Sequence, residues 1–173
     1  MLDGNIRGEV QPVAKKIAKT NAARILDKEK IDYEVMQYDP EDGKIDGVSV
    51  AAKIGYPVDT VFKTLVAAGS SKQNYVFVIP VADELDLKAA AKAAGEKKIE
   101  MVAVKDILGL TGYIRGGCSP LGMKKAFPTI IDAQAEALSE MIVSAGKIGM
   151  QLKLTPGNLL LVTSGRYADI TAK

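Results

Sequence analysis

Residues 61–81 read VFKTLVAAGSSKQNYVFVIPV, and this stretch decides the fold. Its two ends, 61–68 and 75–81, are rich in β-branched and aromatic residues, which favour strands. The residues between them, 69–73, are Gly, Ser, Ser, Lys and Gln, a composition typical of the turn of a hairpin. We therefore predict two strands joined by a short turn.

Elsewhere in the chain, periodicity and capping residues predict short helices and further strands. The predicted helices are 12–30, 50–54 after Ser49 as N-cap, 87–94 after Asp86, 105–110, and a last helix from Pro156 that ends before Gly165. The further strands are 33–38, 99–103, 129–132, 141–144, 150–154 and 168–170. This alternation favours an α/β (α+β) fold, a single domain with a mixed, curled β-sheet and short helices packed around it.

The overall composition predicts one soluble domain. The chain has 173 residues, of which 47% are hydrophobic, enough for one sizeable core. No apolar run approaches the ~18 residues that a membrane span needs. The first residues lack the basic and apolar regions of a signal peptide, so we expect a cytoplasmic protein that does not bind membranes.

The chain contains one cysteine, Cys118, and no histidine. An internal disulfide is therefore impossible, and so is a zinc site built from Cys and His. Catalysis by a Ser-His-Asp triad, a Cys-His pair or a histidine base is also excluded. Any hydrolysis must depend on carboxylates, lysine, backbone dipoles or the substrate itself, and we expect neither a metal nor a cofactor.

Lys63 is the first candidate for such chemistry. In the strand 61–68 it shares one face with Val61, Leu65 and Ala67, and neither face has a solvated pattern. A lysine among apolar neighbours is desolvated at a cost in free energy unless an anion or a cavity receives it. Lys63 is therefore either a strand-end residue whose amine reaches solvent or a functional amine.

The second candidate is the segment 112–122, GYIRGGCSPLG, which has four glycines in eleven residues. Glycine lets the backbone approach a ligand closely and leaves amide donors free to face an oxyanion or phosphate. A plain connecting loop is the alternative. Cys118 in this segment lacks a histidine partner, so a small buried residue is the better interpretation than a nucleophile.

Other polar residues have two interpretations as well. Ser144 ends a predicted strand, where its hydroxyl either faces a ligand or stabilises the following turn. Tyr38 is a pocket or a core residue. The carboxylates at positions 39, 41, 42 and 46 fit a solvated acidic loop better than a metal site or an acid/base pair.

Positive charge is concentrated in the second half of the chain. Residues 1–86 have 11 Lys and Arg against 14 Asp and Glu, whereas residues 87–173 have 12 against 7. A phosphate backbone would prefer the second half, although on charge alone an ordinary solvated surface is the better explanation of the asymmetry. The candidates for phosphate contact are Lys97, Lys98, Arg115, Lys124, Lys125 and Lys147.

Four motifs taken together resemble the YbaK/EbsC family of aminoacyl-tRNA deacylases. They are, in family order, Phe62-Lys63-Thr64-Leu65, Leu87-Lys88-Ala89-Ala90, Thr111-Gly112-Tyr113 with Gly116-Gly117-Cys118-Ser119-Pro120-Leu121-Gly122, and Val143-Ser144-Ala145-Gly146-Lys147. The similarity extends from about Thr20 to Ile170. It implies an editing domain over residues 16–173, preceded by an N-terminal extension, 1–15.

The resemblance implies a fold similar to the editing domain of bacterial prolyl-tRNA synthetases and the removal of a wrong amino acid, typically cysteine, from tRNA(Pro). The position of the family's essential lysine is Lys63. The substrate-binding positions are Tyr38, Phe62, Thr64, Gly116, Gly117, Ser119, Pro120 and Ser144. The alanine-editing branch usually has a histidine where this chain has Cys118, so the cysteine-editing branch is favoured. The implied partners are the tRNA acceptor end and prolyl-tRNA synthetase.

Three activities are compatible with the sequence. If the substrate is Cys-tRNA, its own thiol can attack the ester, with amides at Gly116 and Gly117 facing the oxyanion and Ser144 and Tyr38 orienting the aminoacyl end. If a positioned water attacks instead, alanyl or seryl esters would also be substrates. A non-catalytic module that binds a nucleotide or the tRNA end is the third possibility.

Overall fold

The computed structural model describes residues 19–173. Residues 12–18 of the predicted first helix, and the whole predicted extension 1–15, lie outside this part of the chain. The regular elements, in chain order, are α1 (Asn21–Lys28), β1 (Glu34–Gln37), α2 (Gly47–Ile54), β2 (Phe62–Gly69), β3 (Asn74–Pro80), α3 (Leu87–Ala94), β4 (Ile99–Met101), α4 (Val104–Thr111), β5 (Thr129–Asp132), β6 (Met141–Ser144), β7 (Met150–Leu154), α5 (Pro156–Thr163) and β8 (Arg166–Ala168).

The predicted hairpin lies at the centre of the larger sheet. Strands β2 and β3 pair antiparallel with Lys63 opposite Ile79, and the five-stranded order is β4-β2-β3-β5-β8. Because β5 pairs parallel to both β3 and β8, this sheet is mixed. The α/β fold with a mixed sheet is therefore confirmed, and short helices pack around it.

The strands form two sheets where one was predicted. Strands β1, β7 and β6 make a separate antiparallel sheet with β7 in the middle. A single parallel bridge between Val61 and Ile142 connects the two sheets immediately before Lys63. The start of β2 therefore lies where the two sheets meet.

Three apolar clusters cover the sheets. The largest packs α1 and α5 against β6, β7 and the inner residues of β2 and β3. The second covers the other face of the large sheet with Ala90 and Ala91 of α3. Residues 75–80 of β3 are buried on both faces, which explains why their sequence is continuously apolar. The third and smallest cluster packs Ala51 of α2 against Val61, Val81 and Ile142.

Two predicted helix starts are wrong because other residues cap these helices. Thr20 is extended and its hydroxyl accepts a hydrogen bond from Ala23 N at 3.2 Å, so α1 begins at Asn21 and excludes residues 19 and 20 of the predicted helix. Helix α2 begins before Ser49, since the Asp46 carboxylate accepts bonds from the amide and the hydroxyl of that serine.

The other differences are small. Ser164, with φ of 54°, ends α5 one residue before the predicted Gly165, and the last strand is β8 at Arg166–Ala168, where 168–170 was predicted. The remaining strands and helices lie within two residues of their predicted bounds. No helix among residues 19–173 is long and apolar enough to cross a membrane.

Candidate functional site

A cavity of about 650 Å³ opens where the two sheets meet. Its walls come from the start of β2, the loop before α2 with the first turn of that helix, the glycine-rich segment, and the ends of β6 and β7. The lining residues are Gly43, Ile45, Asp46, Gly47, Val48, Val50, Val61, Phe62, Lys63, Thr64, Leu65, Val81, Arg115, Gly116, Cys118, Ser144 and Gln151. Segments far apart in sequence thus converge on one site.

Lys63 lies in this cavity wall. Its side chain is half-buried, and it forms no hydrogen bond or ion pair with any other residue of the range 19–173. By contrast, Lys53 and Lys153 are each bound by several oxygens. The ammonium group of Lys63 is therefore available to an anionic or carbonyl group inside the cavity.

Two residues that carry hydroxyls, Thr64 and Ser144, also line the cavity. The Thr64 hydroxyl is buried and has no hydrogen-bond partner among the described residues. The Ser144 hydroxyl accepts a bond from Gly146 N at 3.1 Å, which leaves its proton free to donate. Ser144 therefore stabilises the turn after β6 and lines the cavity at the same time, so its two predicted roles are compatible.

The two adjacent glycines of the glycine-rich segment differ in their roles. Gly116 has φ of 90°, lines the cavity, and its amide donates to no acceptor among residues 19–173. The Gly117 amide donates to Ile114 O at 3.0 Å, and a Cβ there would lie 3.1 Å from Ile148 N. The prediction that the Gly117 amide faces an oxyanion is therefore wrong, because a turn already uses this donor.

Three further predicted site residues do not line the cavity. Ser119 is fully buried and its hydroxyl accepts from Leu121 N at 3.2 Å. Pro120 lines a separate cavity of about 220 Å³ on the side of α1. Tyr38 is also buried, and its hydroxyl has no partner within the described chain. These residues support the surrounding structure; Phe62, which is buried as well, lines the cavity.

The acidic loop before α2 is held by Lys53. The Lys53 amine donates to Asp39 O and Asp42 Oδ1 at 2.7 Å and to Lys44 O at 2.9 Å, and it lies 5.6 Å from the centre of the Tyr38 ring. The carboxylates of this loop are exposed, as predicted. Among residues 19–173 no cluster of His, Cys, Asp or Glu could hold a metal ion. The loop is nevertheless part of the cavity wall, which its composition did not indicate.

Cys118 lines the cavity without the properties of a nucleophile. Burial raises the pKa of its thiol to about 11, against a weaker opposing effect of a hydrogen bond with Thr111. At pH 7 the reactive thiolate is then about one part in ten thousand. The interpretation of Cys118 as a small, largely buried residue agrees with this geometry.

Tyr113 fixes the glycine-rich segment against the turn after β6. Its hydroxyl donates to Leu121 O at 2.5 Å, and burial raises its pKa to about 12. A Cβ on Gly146 would lie 2.7 Å from the Tyr113 ring, and one on Gly122 would lie 2.8 Å from its hydroxyl. Both glycines have positive φ, of 97° and 77°. The shape of the cavity therefore depends on close packing of the Tyr113 side chain against the backbone of Gly146 and Gly122.

We expect Gly146→Ala to lower the free energy of unfolding by about 2 kcal/mol or more, because alanine is strained at positive φ and its methyl group would meet the Tyr113 ring. Chemical denaturation measures this change. The matched control is Gly109→Ala in α4, where nothing lies within 4 Å of the new Cβ. That substitution should raise the free energy of unfolding by roughly 0.5–1 kcal/mol. Equal effects of the two substitutions would contradict the packing argument.

Of the lysines and arginine predicted to contact phosphate, Arg115 alone lines the cavity. It is exposed and has no ion-pair partner among residues 19–173. Lys147 is exposed in the turn that packs against Gly117. Lys98 pairs with Glu100 at 3.1 Å, and Lys124 reaches Gly109 O at 3.4 Å. Lys97 and Lys125 are exposed and lie outside the cavity lining.

Gln151 is a cavity residue that the sequence did not reveal. In β7 the pattern Met150, Gln151, Leu152, Lys153, Leu154 alternates, which is equally typical of a strand with one solvated face. Gln151 is nevertheless only 6% exposed. Gln151 could have been found as a neutral polar residue opposite Ser144. That position is recognised only when β6 and β7 are known to pair.

Comparisons with known proteins identify the family of this chain. A sequence model described as aminoacyl-tRNA editing domain matches residues 46–160. An Enterococcus faecalis protein with the provisional name Cys-tRNA(Pro)/Cys-tRNA(Cys) deacylase EbsC is 47% identical over 155 residues, covering 90% of this chain and 94% of that protein. A proline–tRNA ligase of Stenotrophomonas maltophilia is 27% identical over 106 residues, 60% of this chain and 19% of that protein.

Solved structures share the fold. The crystal structure of a protein provisionally described as a trans-editing enzyme for prolyl tRNA synthetase has a TM-score of 0.77 and 22% identity, covering 91% of this chain and all (100%) of that one. The hypothetical protein APE2540 has a TM-score of 0.81 and 19% identity, covering 88% of this chain and 100% of that one. At these identities the likeness is one of fold.

Proposed function

The chain belongs to the aminoacyl-tRNA editing domain family, and from this premise we propose that it hydrolyses the ester bond of cysteine mischarged onto tRNA(Pro). The observation that carries the proposal is the free ammonium group of Lys63 in a cavity beside Gly116, Thr64 and Ser144. The 47% identical relative, whose name gives Cys-tRNA(Pro) and Cys-tRNA(Cys) as substrates, supports the choice of cysteine.

Lys63 supplies positive charge where negative charge develops on the ester. When a nucleophile adds to the carbonyl carbon, the carbonyl oxygen becomes an oxyanion, and a nearby cation or amide donor lowers the energy of this state. Lys63 carries the cation, and Gly116 offers an amide without another acceptor. The apolar lining from Val50, Val61 and Val81 strengthens the attraction, because it lowers the local dielectric.

The substrate supplies its own nucleophile. The cysteinyl sulfur attacks the ester carbonyl carbon, a C–S bond forms, and the bond between this carbon and the 3′ oxygen of the ribose breaks. The proton lost by the thiol ends on that ribose oxygen, which leaves a free tRNA and a cyclic thioester of cysteine. Water then opens the thioester to cysteine. No histidine is needed, and the buried Cys118 thiol takes no part.

Several residues hold the aminoacyl end for this step. Ser144 donates its free proton to the substrate, while Arg115 at the rim of the cavity binds a phosphate of the tRNA end. Phe62 and Thr64 close the inner wall. The cavity is wide enough for the small side chain of cysteine and too narrow for large amino-acid side chains.

Selection of tRNA(Pro) requires more contacts than this domain offers, because Arg115 is the one predicted phosphate contact that lines the cavity. We propose that prolyl-tRNA synthetase presents the mischarged tRNA to this chain in the cytoplasm. The match to residues of a proline–tRNA ligase supports a shared ancestry of the two editing sites. The division into an N-terminal extension, residues 1–15, and an editing domain, residues 16–173, stays a prediction.

The proposal is tested with purified chain and tRNA(Pro) charged with cysteine, alanine or proline. We expect rapid release of cysteine alone, because alanine and proline lack the thiol. Addition of prolyl-tRNA synthetase should raise kcat/KM, and Cys-tRNA(Cys) should gain nothing from this addition. A chain that binds Cys-tRNA(Pro) and leaves the ester intact would be a binding module, and the proposed activity would be wrong.

A further inference from the structure

Strand β7 has a polar face that helix α2 and the start of β2 cover. In the antiparallel sheet, Gln151 is opposite Met36 on one side and Ser144 on the other. Paired residues of antiparallel strands have their side chains on the same face. Gln151 and Lys153 therefore share the face toward the cavity and the Val61 cluster, and the alternate residues enter the main core.

Lys153 has the partners that a covered polar residue requires. Its amine lies 2.7 Å from Glu34 Oε1, 2.9 Å from the Tyr56 hydroxyl and 3.6 Å from Glu140 Oε2. These contacts raise the pKa of the Lys153 amine, with the Glu34 carboxylate as the largest cause. Lys153 and Gln151 lie on the same face of β7, so their hydrogen-bond partners can be compared directly.

Gln151 has none of these partners. It is 6% exposed, and its carboxamide forms no hydrogen bond with any other residue of the range 19–173. The side-chain polar atoms that are both sealed from solvent and unpaired belong to Tyr38 and Thr64. Both polar atoms of Gln151 therefore keep accessible surface in the cavity that it lines. The carboxamide is therefore free to exchange water for a ligand group that enters the cavity.

We propose that Gln151 is a substrate-binding residue whose carboxamide oxygen accepts a hydrogen bond from the α-amino group of the aminoacyl ester. The inference rests on the proposed function, since it assigns a role within the same cavity. It concerns recognition of the amino acid, which the roles of Lys63, Gly116 and Ser144 leave open.

Of the polar side chains in the cavity, Gln151 is the one best placed to bind the α-amino group. Lys63 and Arg115 are cations that attract the ester oxygen and phosphate and repel an ammonium group. The Asp46 carboxylate is exposed, and it caps α2 through two bonds from Ser49, so it lies at the rim of the cavity and in contact with solvent. The Thr64 hydroxyl is sealed from the cavity. The side-chain acceptor that lies deep in the cavity without a protein partner is therefore the Gln151 oxygen.

A binding experiment separates this role from catalysis. The probes are two non-hydrolysable amides of 3′-amino-3′-deoxyadenosine, one with cysteine and one with 3-mercaptopropionate, which keeps the thiol and lacks the amino group. We expect the chain to bind the cysteine amide roughly 10- to 100-fold more tightly. Gln151→Met, similar in size and without an acceptor, should weaken binding of the cysteine amide to the level of the other probe. Gln151→Glu, which keeps an acceptor, should retain the preference.

Equal weakening of both probes by Gln151→Met, with unchanged thermal unfolding, would overturn the proposal, because it would indicate support of the cavity shape. Equal affinity of the unmodified chain for both probes would overturn it as well. Neither readout depends on turnover. Failure of the chain to cleave Cys-tRNA(Pro) would count against the proposed function, whereas the ratio of the two affinities decides the role of Gln151.

Discussion

Replacement of Lys63 by methionine should lower kcat/KM for Cys-tRNA(Pro) by about 100- to 1,000-fold, the range observed when one oxyanion-stabilising group is removed. Methionine keeps most of the apolar stem and removes the cation. Since Lys63 pairs with no other residue between 19 and 173, its loss leaves no partner unsatisfied. The melting temperature should therefore remain unchanged or rise slightly. Single-turnover deacylation and thermal unfolding measure the two effects.

Two controls make this result specific. Cys118→Ala changes another residue of the same cavity, and its rate should stay within about threefold of the original, because burial holds the pKa of this thiol at about 11 and the substrate provides the attacking sulfur. Lys92→Met removes an exposed lysine from α3 that does not line the cavity, and it should have no effect. Substantial activity of the Lys63 variant would remove this lysine from the mechanism.

The sequence predicted the elements well where the determining interactions are local. The hairpin of β2 and β3 follows from two apolar runs and a turn, and Asp86 and Thr155 cap the helices that they were predicted to cap. The division into two sheets depends on which distant strands pair, and β1 pairs with β7, more than 100 residues later, which no local pattern encodes. The caps at Thr20 and Asp46 were missed because more than one polar residue near each helix start is a possible cap.

The site was predicted where a residue type was unusual for its element. Lys63 within an apolar strand and Gly116 among clustered glycines both line the cavity. Their sequence neighbours Gly117 and Ser119 do not, because adjacent residues in a loop point in different directions and use their polar groups in turns. Gln151 was missed because alternation has the same appearance whether the polar face is solvated or covered.

Seryl- and alanyl-tRNA(Pro) should be hydrolysed more slowly than cysteinyl-tRNA(Pro), by a factor on the order of 1,000 or more. An attacking group that is part of the substrate has a very high effective concentration, and the enzyme gains this advantage by holding the right conformer. Serine has nearly the same shape as cysteine, but its hydroxyl is a far weaker nucleophile than a thiol. Alanine has no nucleophile. Single-turnover rates on the same tRNA compare the three esters directly.

The first product released distinguishes attack by the substrate thiol from attack by water, since both routes remove the amino acid from the tRNA. Attack by the substrate thiol releases a cyclic thioester, which is lighter than cysteine by one water and which mass spectrometry detects after rapid quenching, whereas attack by water releases cysteine at once. Comparable rates for alanyl and cysteinyl esters would show that a positioned water is the nucleophile. In that case the Lys63 variant should lose activity on both esters alike, and the lysine would act on the oxyanion whatever the attacking group. If the thiol route is correct, the lack of histidine in this chain follows from its substrate, because the cavity has only to select the thiol and stabilise the charge.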